Sequence, residues 1–428
     1  MKKGLASRLS LMMFLEFFVW GAWYTTVGVY MNAHGMKDLV QWPFTMNAVA
    51  AIVSPFFLGL IADRYFATEK VLGVLHLLGG VFILFTPSLA ANPTAFIAVI
   101  LAYNLCYMPT LGLSNSLAFH HIVDQEKQFP KIRVFGTIGW IVAGLFVSFA
   151  GGWIVAGAIR PEQTAMPLYT TGIASLLLGL YAFSLPHTPP PGAGEKVSVR
   201  SILGVDAFRR LGSRSFYIFC LSSLLICIPL AVYYAYAQLY LVGVDMPRIA
   251  AVQTIGQASE FFFMLAMPIF FARLGVKWML GAGMLAWAVR YGLFALGAPG
   301  SIFWMIILGI ALHGICYDFF FVTGQIYVDK KSTPAIRSQA QGFLVLLTYG
   351  VGMLIGTQIA GAVYNGFLGT SPALTLGQWE SFWWLPAAFA VLVLIFFLAF
   401  FRDDVSGTED KAVGEPQFAT GLSTEPAP

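Results

Sequence analysis

Residues 249–272 read IAAVQTIGQASEFFFMLAMPIFFA, and residues 302–328 read IFWMIILGIALHGICYDFFFVTGQIYV. Each stretch is apolar over more than the roughly 20 residues that a helix needs to cross a bilayer. Yet the first contains Glu260 and the second contains Asp318. An ionisable side chain at that depth costs about 3 kcal/mol or more unless it faces a polar cavity. The two stretches therefore predict membrane-spanning helices that border a pathway through a membrane.

The composition of the whole chain is also that of a membrane protein. Of its 428 residues, 58% are hydrophobic and only 10% are charged, which is too few charges to cover a water-soluble globule of this size. Apolar windows that could span a bilayer begin near Leu9, Pro43, Val71, Ala95, Ile132, Pro167, Ser215, Ile249, Trp278, Ile302, Ala335 and Phe382. We therefore expect an all-α integral membrane protein with twelve transmembrane helices that are surrounded by the lipid bilayer.

The basic residues indicate how these spans are oriented. Lys and Arg are retained in short cytoplasmic loops, and here they concentrate at both ends of the chain and in every second loop. The opposite loops contain only Lys37, Arg160 and Arg248. Both termini are thus predicted to be cytoplasmic, in the plasma membrane (the inner membrane of a bacterium). The basic residues are dispersed over many loops, so the net charge of +4 reflects the orientation of the spans in the membrane. No nucleic-acid partner is expected.

The chain divides near its middle into two halves. Residues 1–185 and 214–402 each contain six predicted spans. Between them, residues 186–213 begin with a Pro/Gly-rich stretch and continue with apolar residues among basic ones, which predicts a cytoplasmic linker with an interfacial helix. Residues 403–428 are polar and rich in Pro, Gly, Thr and Glu, which predicts a disordered cytoplasmic tail.

A weak internal repeat supports the division. Pro130-Lys-Ile-Arg133 opens span five, and Pro334-Ala-Ile-Arg337 opens span eleven, 204 residues later. Duplicated halves around a central site are typical of secondary transporters. We expect a monomer.

Span five carries a polar and aromatic face. Arg133, Thr137 and Trp140 lie at i, i+4 and i+7, so they share one side of a helix. A cation, a hydroxyl and an aromatic ring on one face can hydrogen-bond a polyol and stack on a ring. Alternatively, Arg133 extends to the cytoplasm and Trp140 packs against lipid.

Span eight carries a second polar face, formed by Gln253, Gln257 and Glu260 at the same spacing. Two amides and an acid cannot point at hydrocarbon, so this face contacts protein or water. The amides could serve as hydrogen bonds between helices. For Glu260 we predict a role in transport, because acids are rare in the middle of a span.

Span ten places His313 and Tyr317 on one face, with Asp318 beside them. A buried acid suits a group that takes up a proton from one side of the membrane and releases it to the other. Asp318 could instead be a structural ion-pair partner, for example of Arg290 near the end of span nine. Glu16 in span one shares a face with Trp20 and Trp23, and is either a third cavity acid or a solvated or salt-bridged group.

Several other patterns have structural interpretations. Cys106, Cys220, Cys227 and Cys316 fall inside predicted spans without metal-ligand spacing, so buried packing residues are expected. His76 is predicted to be a hydrogen-bonded packing residue. Walker, GxSxG and HExxH motifs are absent from the sequence. We expect no metal, no cofactor and no enzymatic activity.

The sequence resembles a family of the major facilitator superfamily. Gly59 to Arg64, GLIADR, is similar to the superfamily signature between spans two and three. Eight further blocks, in order along almost the whole chain, resemble the nucleoside:proton symporter family. They are WGAWYTTVGVYM from Trp20, YMPTLGL from Tyr107, IRVFGTIGW from Ile132, LPHTP from Leu185, LGVDAF from Leu203, GQASE from Gly256, YDFF from Tyr317 and PAIRSQAQG from Pro334.

The resemblance implies a specific fold, activity and site. The fold would be that of the major facilitator superfamily, and the activity would be proton-coupled import of a nucleoside by alternating access. The substrate would contact Arg133, Thr137, Trp140, Tyr234, Gln257, Glu260, His313 and Tyr317. Glu260 and Asp318 would carry the coupling proton.

Span seven departs from the family pattern. Nucleoside permeases place amides where this chain has Ala231 and Tyr234, and an Asn where it has Phe321. Lost amides remove hydrogen bonds to a base or ribose. The solute could therefore be a nucleoside bound more by ring stacking, or a sugar or glycoside taken up by a proton symporter of the same fold. The alternative to a transporter is a protein of another functional class, namely a membrane enzyme or sensor that does not transport a solute.

Overall fold

The computed structural model describes residues 4–58, 65–154, 160–190, 202–333 and 336–405. Throughout these ranges the backbone forms helices and turns, with no strand. Twelve helices coincide with the twelve predicted spans. They are α1 (Leu5–Ala33), α2 (Trp42–Phe57), α3 (Thr68–Leu89), α4 (Pro93–His121), α5 (Lys127–Ile154), α6 (Met166–Ala182), α7 (Arg214–Gly243), α8 (249–274), α9 (276–297), α10 (Phe303–Lys331), α11 (Gln339–Leu368) and α12 (Leu376–Phe400).

Most of these helices meet the length and hydropathy of a bilayer span. In the part of the chain that the structure describes, nine continuous helical stretches are long and apolar enough to cross a membrane. One of them, Ile249–Gly297, is α8 and α9 joined across a break at Gly275, whose φ of 64° and ψ of −178° end one helix and start the next. Glycine adopts this conformation without a steric penalty. Helices α2 and α6 are shorter, and the GLIADR segment that follows α2 lies outside the described residues.

Helices α5, α10 and α11 each contain a π-helical turn, at Phe146–Ala150, Asp318–Val322 and Leu346–Gly352 respectively. A π turn inserts an extra residue into a helix and redirects its side chains, and such turns are frequent at functional sites. Here they redirect helices that border the interior of the bundle.

The described helices pack into two halves that contact each other through several helix pairs. In the first half α1 packs on α5 and α3 packs on α4 and α6, whereas in the second half α7 packs on α11 and α12. The halves contact each other through α1 with α7, α2 with both α7 and α11, and α5 with α8.

Small residues allow the closest approaches within a half. A Cβ added at Gly139 would lie 2.1 Å from the backbone oxygen of Phe14, and one at Gly314 would lie 2.5 Å from the backbone of Ser259. Membrane helices commonly pack through such residues, because lipid supplies little hydrophobic drive for their association.

The structure describes part of the connection between the two halves. A short helix, Val205–Arg210, precedes α7, and the Phe208 ring lies 5.0 Å from that of Phe343 on α11. Residues 191–201 of the predicted linker and residues 406–428 of the predicted tail lie outside the described residues. The interfacial helix and the disordered tail therefore stay predictions.

Asp404, just after α12, ties the end of the second half to its beginning. Its carboxylate accepts hydrogen bonds from Ser213 (2.8 Å), from Tyr327 (2.9 Å) and from Lys331. Partial burial alone would raise the pKa of this carboxyl. The hydrogen bonds from Lys331, Ser213 and Tyr327 outweigh burial and lower its pKa below the ordinary value.

Candidate solute site

A cavity lies between the two halves, with about 100 Å³ of space that the centre of a water molecule can occupy. Its lining residues come from both halves: Phe17, Trp20 and Tyr24 of α1, Asn47 of α2, Arg133, Thr137 and Trp140 of α5, Tyr234 of α7, Gln257 and Glu260 of α8, His313 and Tyr317 of α10, and Tyr349 and Met353 of α11. All eight predicted contact residues line this cavity, although their contact with a solute stays a prediction.

The face of α5 forms one wall. The Arg133 guanidinium lies 4.0 Å from the ring centroid of Phe17, and the ring centroids of Trp140 and Trp20 are 5.2 Å apart. Arg133 and Trp140 thus pack against α1 and border the cavity. The alternative, in which Arg133 reaches to the cytoplasm and Trp140 packs on lipid, is wrong.

Aromatic rings connect the two halves across the cavity. Tyr24 of α1 and Tyr234 of α7 have ring centroids 5.5 Å apart. Tyr24 also packs near Trp140, at 6.4 Å. A flat ring bound in the cavity would therefore meet aromatic surface from both halves.

The polar face of α8 divides between two roles. The Gln238 amide of α7 donates to Gln253 Oε1 at 3.4 Å, so Gln253 joins two helices. Gln257 and Glu260 line the cavity instead. Within the described ranges, the Gln257 amide oxygen has no hydrogen-bond partner and no salt bridge joins Glu260 to Arg133. Both groups are available to a solute.

The three polar residues of α10 differ in whether they line the cavity. His313 and Tyr317 border the cavity, and the Tyr349 hydroxyl of α11 donates to the Tyr317 hydroxyl. Asp318 is fully buried and does not line the cavity. Neither of its carboxylate oxygens has a hydrogen-bond partner among the residues described, so an ion pair with Arg290 is not present.

Glu16 lies outside the cavity, inside the first half. Its carboxylate accepts from the Thr110 hydroxyl at 2.6 Å and lies 3.0 Å from His76 Nε2, and the other ring nitrogen of His76 is 3.1 Å from Ser175 Oγ. Both Glu16 and His76 are buried. The interpretation of Glu16 as a cavity acid is wrong, whereas its pairing with a basic neighbour is observed. His76 has hydrogen bonds on both ring nitrogens, as predicted for a packing residue.

Sequence reasoning missed six of the lining residues: Phe17, Trp20, Tyr24, Asn47, Tyr349 and Met353. The Asn47 amide donates to Asn104 Oδ1 at 2.8 Å, which fixes its orientation at the cavity wall. An amide in an apolar helix was a usable signal, as it was for Gln257. The other five are apolar or aromatic residues in apolar spans, which carry no such signal.

The departures from the family pattern have local explanations. Ala231 is buried where α7 approaches α11, and a Cβ added at Gly356 would lie 2.8 Å from the Ala231 Cβ. Phe321 packs on Trp287 and Tyr349, with ring centroids 5.8 and 5.5 Å away. Of the three positions, only Tyr234 lines the cavity.

The four cysteines are free and buried, as predicted.

Twelve helices in two halves, with a polar and aromatic cavity where the halves meet, define a transporter of the major facilitator superfamily fold. The sequence pattern of the nucleoside H⁺ symporter family matches residues 3–406, nearly the entire chain. The chain belongs to that family and is a multi-pass membrane transporter, not an enzyme.

Known proteins resemble the chain over almost its full length. YegT of Escherichia coli (strain K12) is 40% identical over 405 residues, 93% of this chain and 94% of that protein. The xanthosine permease of the same organism is 31% identical over 431 residues, 96% of this chain and 99% of that protein. The crystal structure of the nucleoside transporter NupG superimposes with a TM-score of 0.81 at 29% identity, covering 93% of this chain and 99% of that one.

Proposed function

We propose that this transporter imports nucleosides together with protons by alternating access. The observation that carries the proposal is the cavity between the halves, where Arg133, Thr137 and Trp140 face Tyr234, Gln257 and Glu260. Aromatic rings can stack on a base, while the amide, hydroxyl and charged groups can hydrogen-bond a ribose. The xanthosine permease and NupG, both named for nucleosides, have related sequences.

Glu260 is the proposed coupling residue at the cavity wall. When protonated it is neutral and can donate a hydrogen bond to the solute, and when ionised it accepts only. Loss of the proton therefore changes both the charge of the cavity and the hydrogen bonds that a solute can form. A solute that binds better to the protonated cavity is taken up with the proton and released after deprotonation.

Asp318 is the proposed second acid. An ionised carboxylate without hydrogen-bond partners is costly in the interior, and a bound proton removes that charge. Because Asp318 opens the π turn of α10 and directly follows Tyr317, its charge state can alter the geometry of the cavity wall.

The polar contacts between the halves support one state of an alternating-access cycle. They lie near the loops opposite to the two termini: Lys37 with Ser371, Asp38 with Asn365, Thr45 with Thr357 and Gln358, Arg160 with Asp245 and Met246, Glu162 with Ala250, and Ser148 with Ala251. With cytoplasmic termini, this is a state closed to the outside.

Uptake of labelled nucleosides tests the proposal. Cells that lack endogenous nucleoside transport would express the chain, and accumulation of uridine, adenosine and xanthosine would be compared with empty-vector cells, with and without a protonophore. We expect accumulation that the protonophore abolishes. If no nucleoside accumulates while a labelled sugar or glycoside does, the nucleoside assignment is wrong and the transporter is a symporter for that other solute.

A further inference from the structure

Arg290 on α9 is a fully buried cation that does not line the cavity. Its guanidinium carbon lies 3.4 Å from the ring centroid of Tyr233, and its Nη1 lies 3.1 Å from Nδ1 of His313. In the described part of the molecule no carboxylate pairs with it, and its Nε and Nη2 atoms have no hydrogen-bond partner. A charge held in this way is expensive inside a membrane, and such residues are usually retained for function.

The contact with Arg290 determines how His313 is protonated. Arginine has only donors, so Nδ1 of His313 must accept the hydrogen bond and cannot carry a proton. An imidazolium would present a second N–H and a second positive charge to the guanidinium. The ring is therefore neutral, and its single proton is on Nε2.

Neighbouring rings hold the orientation of this imidazole. The Tyr233 ring stacks on it with centroids 5.8 Å apart and an interplanar angle of 25°, and the Tyr317 ring centroid lies 5.7 Å away. Gly256 of α8 leaves room for the ring, because a Cβ there would lie 3.2 Å from the His313 Cβ. With Nδ1 occupied by Arg290, Nε2–H is the polar group that His313 can offer to a solute in the cavity.

We propose that Arg290 is a positioning residue that fixes His313 as the Nε2–H tautomer, so that the cavity presents a hydrogen-bond donor there. The solute class follows from this geometry. The site favours a molecule with an acceptor-only atom opposite His313, such as a carbonyl oxygen or an unprotonated ring nitrogen of a nucleobase. This selectivity rests on the proposed function, whereas the tautomer does not.

The first test measures the tautomer directly. The chain contains only six histidines, so a sample with ¹⁵N-labelled histidine gives few imidazole signals, and a His313→Gln variant assigns the one of interest. We expect an unprotonated Nδ1 and a protonated Nε2 for His313. A protonated Nδ1, or an imidazolium, at neutral pH would overturn the proposal whether or not any Arg290 variant folds.

The second test measures selectivity. Binding of the purified protein would be compared within two pairs of nucleosides that differ in one acceptor: inosine with 7-deazainosine, which lacks N7, and uridine with 4-thiouridine, whose sulfur is a much weaker acceptor than oxygen. We expect the member with the stronger acceptor to bind about tenfold more tightly in at least one pair, as for one hydrogen bond. The parent protein showing no preference in either pair would contradict the proposed donor.

Variants then assign the preference to Arg290. Arg290→Met should abolish it, Arg290→Lys should preserve it because a donor remains, and Arg290→Met should add nothing once His313 is Phe. Arg273→Met, at an exposed arginine, is the matched control. Retention of the preference in a folded Arg290→Met variant would refute the positioning role. If no nucleoside binds at all, the proposed function fails, while the tautomer measurement still decides this inference.

Discussion

At the scale of single residues, Glu260 and Asp318 show that two acids in apolar helices can have different surroundings. Glu260 lines the cavity opposite Arg133, where a solute can reach it. Asp318 is buried and does not line the cavity, and its carboxylate has no hydrogen-bond partner in the described structure. We therefore propose that Glu260 contacts the solute and that Asp318 responds only to a proton.

Glu260→Gln should abolish accumulation driven by a pH gradient while leaving solute binding and exchange. The amide keeps the shape and hydrogen bonds of a protonated acid but cannot release a proton. Concentrative uptake and counterflow in proteoliposomes would be measured side by side. Glu380→Gln, on α12 and away from the cavity, is the control, and normal concentrative uptake by the Glu260 variant would exclude an essential proton-carrying role.

Tyr234 is predicted to act through its ring. Its centroid lies 5.5 Å from that of Tyr24, so a stacked base would extend an existing aromatic surface. Tyr234→Phe should keep most of the affinity, and Tyr234→Ala should lose roughly 1 to 3 kcal/mol, as for aromatic stacking on bases. Calorimetry with one nucleoside compares the variants, and an Ala variant that binds as tightly as the parent would show that Tyr234 only packs.

At the scale of helices, the N-terminus of α8 is held by the other half. Glu162 Oε1 accepts from the Ala250 amide at 3.2 Å and from Ser148 Oγ at 2.9 Å, and Ser148 Oγ accepts from the Ala251 amide at 2.9 Å. A carboxylate at a helix N-terminus satisfies free N–H groups and interacts favourably with the helix dipole. The bonds to the Ala250 and Ala251 amides exist only while the halves are together on that side.

Glu162→Ala should therefore destabilise the closed arrangement, by about 1 to 2 kcal/mol, as for loss of a helix cap. Labelling of a cysteine placed at Thr137 by a membrane-impermeant maleimide from outside the cell measures opening. The native cysteines are buried, so background labelling should be low. We expect faster labelling than in the parent or in the Glu380→Ala control, and an unchanged rate would mean that Glu162 does not hold the halves together.

Asp404 is predicted to make the stability of the second half depend on pH. Since its folded pKa lies below the unfolded value, its hydrogen bonds stabilise the protein above about pH 4 and are lost as the pH falls through the folded pKa. Asp404→Asn should lower the free energy of unfolding by about 0.5 to 1 kcal/mol, because the group is partly exposed. Melting points in detergent should differ from pH 8 to pH 5 and converge at lower pH, and a difference independent of pH would contradict this origin.

At the scale of the whole molecule, the hydrogen bonds between the halves lie, in the described structure, on the side opposite to the termini. Transport by alternating access requires these contacts to break and a second set to form at the other end. Lys37 Nζ donates to the Ser371 backbone oxygen at 2.6 Å, across two loops of opposite halves. This pair is therefore a place to hold the molecule in one state.

A Lys37→Cys/Ser371→Cys double variant, joined by a short bifunctional maleimide, should lose transport while still binding solute from the open side. Each single variant treated with the same reagent is the control. Transport would be measured in proteoliposomes before and after treatment. Undiminished transport by the cross-linked protein would show that these loops need not separate.

Much of the architecture could be predicted from the sequence. The all-helical class and the polar faces of α5 and α8 follow from hydropathy and helical spacing, because each helix must satisfy the bilayer on its own. The resemblance to a transporter family placed Arg133, Gln257 and Glu260 at one cavity, and the structure brings them there. The linker and the tail remain predictions.

The partners of each polar group were decided only by the tertiary structure. Nothing in the spacing of Glu16 and His76, or of Arg290 and His313, shows that they meet, because their contacts join helices that are distant in sequence. Phe17, Tyr349 and Met353 likewise enter the cavity through the packing of α1 and α11. The sequence determines which helices form and which of their faces must avoid lipid, whereas packing alone decides whether a polar face contacts the solute cavity, as Glu260 does, or another helix, as Gln253 does.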